Sequence, residues 1–251
     1  MATGSETAGR ARRWRNAMQA AVCDVHEPWA HGTVLRATRY PDYFDLNLVR
    51  VEDDPGISVD ALVAAADRLL AGLAHRRFEF DHPDAVKPLR AEFEARGWRT
   101  ESLTWMRHES APPPGPELRV EEVPYDAVRD LRRAWHDEDF PGLDPGDYEL
   151  QAREVDLARG AQVLAVSEAG EAVAFAQLER GQEAAEITQV YVAPPYRGAG
   201  RGTAMTRAAI EAAGEVGDLW IVADSEGRAK DLYARLGFRP AWTAVEMLRA
   251  F

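Results

Sequence analysis

The sequence predicts a mixed α/β fold, with mixed sheets, in two successive domains. Three observations carry this. Apolar runs of strand length alternate with runs of helical period along the whole chain. Ala111-Pro112-Pro113-Pro114-Gly115-Pro116 interrupts that alternation once, and stacked prolines favour an extended, semi-rigid spacer. The two sides of this linker echo each other. Phe78-Glu79-Phe80-Asp81 precedes a helical stretch and Phe93-Glu94-Ala95-Arg96-Gly97-Trp98, as Trp220-Ile221-Val222-Ala223 precedes one and Tyr233-Ala234-Arg235-Leu236-Gly237-Phe238. Such self-similarity marks a tandem pair. The expected division is residues 1–111, a linker at 112–116, and residues 117–251.

In the first half, residues 1–8 are expected to be disordered. Trp14, Met18, Val22 and Val25 fall on one face of a helix from Arg10 to Val25, and Arg10, Arg12, Arg13 and Arg15 are read as its solvated face. Strands are expected at Thr33–Arg39 and Tyr43–Glu52, joined by Tyr40-Pro41-Asp42. Asp53-Asp54-Pro55-Gly56 is a turn. Ser58 caps a helix with Leu62, Ala65, Ala66, Leu69 and Leu73 inward. A strand at Arg76–Asp81, a helix at Asp84–Ala95 and a strand at Trp98–Met106 complete the half. In the second half, Glu117–Val120 is a strand and Tyr125–Ala134 a helix. An Asp/Gly/Pro-rich loop follows at His136–Asp147, then a helix at Tyr148–Arg159. Strands at Ala161–Ser167, Ala172–Leu178, Ile187–Val192, Leu219–Ala223 and Ala241–Leu248 alternate with helices at Thr203–Ala213 and Arg228–Leu236.

Apolar content of 46% and charged content of 29% are those of a globular chain. No apolar run reaches the roughly 18 residues of a membrane helix, and the N-terminal arginines have no long apolar stretch after them, so neither a membrane span nor a secretory signal is expected. Cys23 stands alone, which excludes a disulfide scaffold and makes a reducing cytoplasm the expected location. The six histidines show no metal-ligand spacing, and no metal is expected. The net charge of −12 divides as −2 over residues 1–115 (15 basic, 17 acidic) and −10 over 116–251 (15 basic, 25 acidic). That argues against nucleic acid and anionic membranes as partners and favours a cationic acceptor, although an acidic, solubilising surface explains it equally well.

The stretch from Glu186 to Arg207 is the most informative. Ile187–Val192 is β-branched and aromatic, Pro194 and Pro195 stop it, and Gly198, Gly200 and Gly202 then open a run of good helix formers. Glycines let the backbone turn and a ligand approach, and the first N–H groups of the helix point out of its end, which makes a cup for phosphate. Arg197 and Arg201 flank it. The spacing is not the dinucleotide G-x-G-x-x-G, since Thr203 occupies the third position, and the Lys-Ser/Thr of a P-loop is missing. Arg197-Gly198-Ala199-Gly200-Arg201-Gly202 instead resembles the Q/R-x-x-G-x-G/A loop of the GNAT superfamily of N-acetyltransferases. Ala229, Leu232, Tyr233, Gly237 and Phe238 match the superfamily's downstream A-x-x-L-Y-x-x-x-G-F at every fixed position. One departure is Glu226, where many members carry Asn.

The resemblance covers residues 117–251 and implies an acyl-CoA N-acyltransferase fold. It implies acetyl-CoA as co-substrate and an amine, small or peptidic, as acceptor, reacting by direct attack in a ternary complex. Arg197, Gly198, Ala199, Gly200, Arg201, Gly202 and Thr203 would hold the pyrophosphate, and the backbone of Val190, Tyr191 and Val192 the pantetheine arm, with the Val192 N–H as oxyanion donor. Tyr233 matches the usual general acid. Glu186 is the leading base; on strict alternation it shares a face with Thr188, Val190 and Val192. His136, in the loop with Asp137, Glu138 and Asp139, is a second candidate and a water a third. The first half has no such glycine loop, and Phe93 stands in place of the tyrosine. It is expected to be a degenerate GNAT-like domain that covers the acceptor pocket, forms a homodimer interface or only stabilises the fold. A non-catalytic acyl-CoA-binding or regulatory module and an acyltransferase for longer chains are the alternatives.

Overall fold

The computed structural model describes residues 4–251. In chain order the elements are α1 (Gly4–Ala20), β1 (Val25–Trp29), β2 (Gly32–Arg36), β3 (Leu48–Val51), α2 (Val59–Leu69), β4 (His75–Phe80), α3 (Pro83–Val86), α4 (Arg90–Ala95) and β5 (Arg99–His108). They continue as β6 (Glu121–Val123), α5 (Arg129–Asp139), α6 (Tyr148–Ala158), β7 (Gln162–Glu168), β8 (Glu171–Arg180) and β9 (Ala184–Val192). The last are α7 (Arg201–Ala213), β10 (Asp218–Asp224), α8 (Arg228–Arg235) and β11 (Phe238–Ala250). Two compact units result. One runs to Trp105 and includes 224–226 and 241–251; the other holds 106–223 and 227–240. The division therefore does not fall at the proline linker. Ala250 to Val245 of β11 pair antiparallel with His75 to Phe80 of β4, which takes the C-terminus into the first unit. Backbone pairing of that range leaves no mark in a linear pattern.

In the first unit β1, β2 and β3 are antiparallel, and β3 and β4 are parallel. Pro28 lies on β1, an edge strand, where its missing N–H costs no ladder bond. One side of this sheet packs α2 and the aromatic rings of Phe78, Phe93 and Trp98. The other side carries the buried charges of Arg50, Arg77 and Glu79 beside the apolar Leu35 and Leu48. The first helix starts at Gly4, earlier than expected, while residues 1–3 lie outside the described residues. Its buried residues are Ala11 and Arg15, not the Trp14–Met18–Val22 stripe. Arg15 is no solvated charge: it pairs with Asp81 at 2.8 Å and Glu79 at 3.3 Å, and lies over the Trp242 ring. Arg50 joins Glu79, and Arg77 joins Glu246 and Asp45. Burying these charges is tolerable because each is paired.

In the second unit β6, β7, β8 and β9 are antiparallel, and β9 and β10 are parallel. On β8, Ala174, Ala176 and Leu178 face a core made with α7 and α8, including Met205, Ala209 and Tyr233. Phe175 faces the other way, toward Tyr125, Val128, Leu131 and Tyr191. The expected order of elements is present, but the first strand is Glu121–Val123 while Leu118 and Val120 pack against the α7–α8 core. The linker is no free spacer either. Arg207 donates to the carbonyl of Pro113, and a Cβ built on Gly115 would stand 3.0 Å from Arg207 Cδ.

Candidate active site

The site begins with one extra residue in β9. Its pairing with β8 runs Leu178 to Ile187 and then Gln177 to Gln189, so Thr188 is bulged. A bulge bends its strand and reverses the alternation beyond it. Parallel pairing with β10 stops at the same place, at Ile221 and Ile187. The edge of β9 from there to Val192 has no strand partner among the described residues. The Ala193 N–H bonds to Val173 O on β8, so by alternation Tyr191 also turns its N–H to β8, while Val190 and Val192 turn theirs to the open edge. Of the three backbone groups expected to hold a ligand, two are therefore available and Tyr191 is committed elsewhere.

The bulge also corrects the placing of Glu186. Ala185 and Ile187 belong to the α7–α8 core, and Val190 and Val192 pack against that same core. Glu186 pairs with Glu179 and points to the opposite side, with Gln189 and Tyr191. It does not share a face with Val190 and Val192, because strict alternation fails across an inserted residue.

Beyond β9, Pro194–Tyr196 forms one 3₁₀ turn and α7 begins at Arg201, with Gly200 at its N-cap in the left-handed region at φ 80°. No side chain caps this end. The first bond along the helix is Ala204 N–H to Gly200 O, which leaves the amides of Arg201, Gly202 and Thr203 without intrahelical partners. The loop can be approached: a Cβ on Gly198 would meet nothing within 4 Å, and one on Gly202 would make only ordinary contacts at 3.8 and 4.0 Å. At Gly200 it would stand 2.6 Å from Pro116 Cγ, so this glycine is also demanded by the docked linker. The flanking arginines are engaged. Arg201 binds Glu168 and the Tyr196 carbonyl. Arg197 donates Nε to the Val192 carbonyl at 2.9 Å and Nη2 to Glu138 at 2.7 Å. Open strand edge, free amides and unfilled space fit an acyl-CoA, an elongated substrate with amide-bearing and phosphate-bearing parts.

Tyr233 lies in the α7–α8 core at 7% exposure, and burial pushes its phenol up to about 12. Its hydroxyl has no hydrogen-bond partner among the described residues, and at neutral pH it can only donate a proton. His136 is not in a loop, because α5 continues through Asp139. Its ring, 4% exposed, lies tilted against those of Phe140 and Tyr148, with centroids 5.2 and 5.0 Å away, and burial lowers its basicity.

On the α5–α6 side is a cavity of about 510 Å³, lined by Tyr125, Arg129, Arg132, Trp135, Tyr148 and Gln189 among others. The Arg132 guanidinium lies 4.0 Å from the Tyr125 ring and bonds Gln189, Gln177 and Asp156. Tyr125 donates to Asp156 at 2.9 Å, and Gln177 to Glu179 at 3.0 Å. Burial raises the carboxyls of Asp156 and Glu179. None of this network was foreseen. Its signal was Gln177 and Glu179, two polar residues at alternate positions directly after the apolar run Ala172–Ala176. Among the described residues no group of three His, Cys, Asp or Glu could hold a metal, and no helix is long and apolar enough to cross a membrane.

Residues 125–238 match the Acetyltransferase (GNAT) family. No curated protein sequence matches the chain. Among solved structures, a conserved protein of unknown function from Staphylococcus epidermidis aligns at 16% identity and TM-score 0.66, over 89% of this chain and 92% of its own. A protein assigned to the GNAT acetyltransferases from Novosphingobium aromaticivorans aligns at 21% identity and TM-score 0.51, over 74% and 79%. A GCN5-related N-acetyltransferase from Sphaerobacter thermophilus aligns at 16% identity and TM-score 0.50, over 76% and 65%.

Proposed function

Because residues 125–238 form a GNAT acetyltransferase domain, we propose that the second unit transfers an acetyl group from acetyl-CoA to a primary amine by direct attack in a ternary complex. The observation that carries this is the continuity of the open edge of β9 with the uncapped start of α7. Val190 and Val192 hold the amide-bearing arm, and the Val192 N–H faces the carbonyl oxygen as charge develops on it. The amides of Arg201, Gly202 and Thr203, with Gly198, Ala199 and Gly200 shaping the turn, hold the phosphates. Tyr233 supplies the proton that the leaving thiolate takes up. Glu186, on the side of the sheet where Gln189 lines the cavity, takes the proton from the amine. Positioning both reactants can supply an effective molarity of roughly 10⁵–10⁸ M, so these groups need contribute only the remainder.

The cavity between α5 and α6 is the acceptor site. Its lining holds Arg129, Arg132, Arg133 and Arg153 against Asp126, Asp144, Asp147 and Glu149. The acid excess of this half is therefore not concentrated here, and an amine with one or few charges suits the cavity better than a polycation. The first unit is a degenerate GNAT-like domain that does not bind acyl-CoA. The reaction is assayed as free thiol released from acetyl-CoA by a panel of amines. Release above background hydrolysis with at least one amine is expected. Binding of acetyl-CoA with no amine-dependent release would leave an acyl-CoA-binding module.

A further inference from the structure

The cavity beside α5 takes an uneven set of charges from its walls. Arg129, Arg132 and Arg133 all line it from the first turns of α5. Their spacing of i, i+3 and i+4 puts three cations on one face of the helix, where like charges repel. Two of them are answered. Arg132 reaches Asp156 at 3.4 Å and Gln189 at 3.0 Å, and Arg133 reaches Glu149 at 3.4 Å. Arg129 is not: among the described residues its side chain has no ion pair and no hydrogen bond. Asp126, three residues before it, is the local partner its position suggests. Both oxygens of Asp126 are taken instead by Arg153 of α6, at 2.7 and 3.0 Å. Those bonds hold the Asp126 carboxyl below the usual range, and Arg129 adds the least to that effect. Arg129 is also the first residue of α5, at the positive end of the helix dipole, where a cation is disfavoured. The acids of the wall are better placed. Asp147 and Glu149 flank the start of α6, which favours negative charge, and Asp144 accepts from the Gly146 N–H at 3.0 Å. The backbone thus answers these carboxylates and opposes Arg129.

We propose that Arg129 binds a carboxylate on the acceptor, so that the amine acetylated belongs to an amino-carboxylic acid. The inference rests on the acetyl-transfer reading of this unit, with the cavity as its acceptor site. A planar guanidinium meets the two oxygens of a carboxylate with two parallel N–H bonds. A carboxylate bound there also relieves the repulsion that Arg129 feels from Arg132, Arg133 and the start of α5. One unanswered cation matches one negative charge. A phosphate monoester carries close to two at neutral pH and would need a second cation, whereas Arg132, Arg133 and Arg153 are each paired already. An acceptor held by Arg129 can extend along the cavity to Gln189 on β9, next to the residues proposed to hold the acyl-CoA arm. Arg129 then selects the amine and leaves the chemistry to other groups.

Free-thiol release by the full chain tests this with α- and ω-amino acids of graded chain length. Each is paired with its carboxamide and with the matching aminoalkyl phosphate. After correction for the fraction of neutral amine, kcat/KM for the best carboxylate should exceed that for its carboxamide about five- to thirty-fold. That range lies between a surface ion pair and a charge-assisted bond in a closed site. The difference should appear in KM, with kcat little changed, because the contact is the same in ground and transition states. Arg129→Gln should bring the ratio to about two-fold or less by raising KM for the carboxylate, and Arg129→Lys should keep most of it. A variant damaged only in its fold would lose both substrates alike. Equal kcat/KM for carboxylate and carboxamide in the native chain, or a preference that survives Arg129→Gln, overturns the role of Arg129 and leaves acetyl transfer standing. So does release with other amines and none with the carboxylates. A higher kcat/KM for the phosphate than for the carboxylate overturns the carboxylate assignment. No amine-dependent release with any amine overturns both the proposal and the acetyl-transfer reading.

Discussion

The helices α2 and α7 occupy the same place in their units, each crossing from one strand to the next parallel one. Their first turns are opposites. Ser58 caps α2, its Oγ accepting from the Ala61 N–H, and Asp60 stands in the first turn. The turn before it is closed by Asp54, which accepts from Gly56 N–H at 3.0 Å. The start of α7 has Gly200 in place of the serine, Gly202 in place of the aspartate and no acidic residue. One helix answers its own free amides and its own dipole; the other leaves both unanswered, as the proposed phosphate site requires.

The deepest way to break this comparison is at the proposed acid. Phe93 fills the place in the first unit that Tyr233 fills in the second, wholly buried among aromatic rings. Tyr233→Phe makes the two alike. Since the hydroxyl has no partner to lose, the melting temperature should hold, and coenzyme A affinity should stay within about two-fold. Turnover should fall by about 10²-fold or more, as for loss of a general acid. Native turnover in the variant would make Tyr233 a packing residue.

Gly202→Asp brings the start of α7 to the pattern of α2. A Cβ there makes only ordinary contacts, and a carboxylate in a first turn stabilises a helix by about 0.3–1 kcal/mol. Stability should hold or rise while coenzyme A affinity falls about 100-fold through repulsion of phosphate, a loss of about 2.7 kcal/mol. Unaltered affinity would remove phosphate from this loop. Gly200 is a poorer site for the test, since any side chain there collides with Pro116 and strains a positive φ.

Buried titratable groups sharpen the contrast. In the first unit His75 is fully buried, and its Nε2 donates to the Asn47 carbonyl at 2.8 Å, a bond that favours the charged ring but is outweighed by the burial. Burial, with help from Arg77 and Arg76, lowers its pKa to about 4. Between about 6.5 and about 4 the unfolded chain binds a proton that the folded chain refuses, so this contribution is complete above pH 6.5 and is lost on acidification. The shift corresponds to about 3 kcal/mol. His75→Gln should flatten the fall of the melting temperature between pH 7 and 4.5; an equal slope in both proteins would refute the assignment.

The glycine loop, the alternation of elements and the Tyr233 motif were legible because each is local: a turn conformation, a period, a helix end. The bulge was not. Thr188 has the β-branched chemistry of any strand residue, and only pairing with β8 reveals it as supernumerary. That one residue moved Glu186 across the sheet. Arg15 misled in the same way, because a cation within an arginine cluster looks solvated until Glu79 and Asp81, more than sixty residues away, are brought beneath it. Glu138 was read with its neighbours as acidic loop, and the sequence contained no sign that its partner was Arg197.

The smallest test works from the other side of the comparison. Ser58→Ala opens the α2 start and leaves the Ala61 amide without its acceptor. Loss of an N-cap costs about 1 kcal/mol. That should lower the denaturant midpoint of the first unit slightly and change neither coenzyme A affinity nor turnover. An uncapped α2 still retains Asp60 and the Asp53–Gly56 turn, without the glycines that let a ligand come close, so freeing one amide should not create a second phosphate site. If Ser58→Ala gave a second, weaker equivalent of bound coenzyme A, the cap itself would be what silences the first unit, and the missing glycine loop would matter less than its serine.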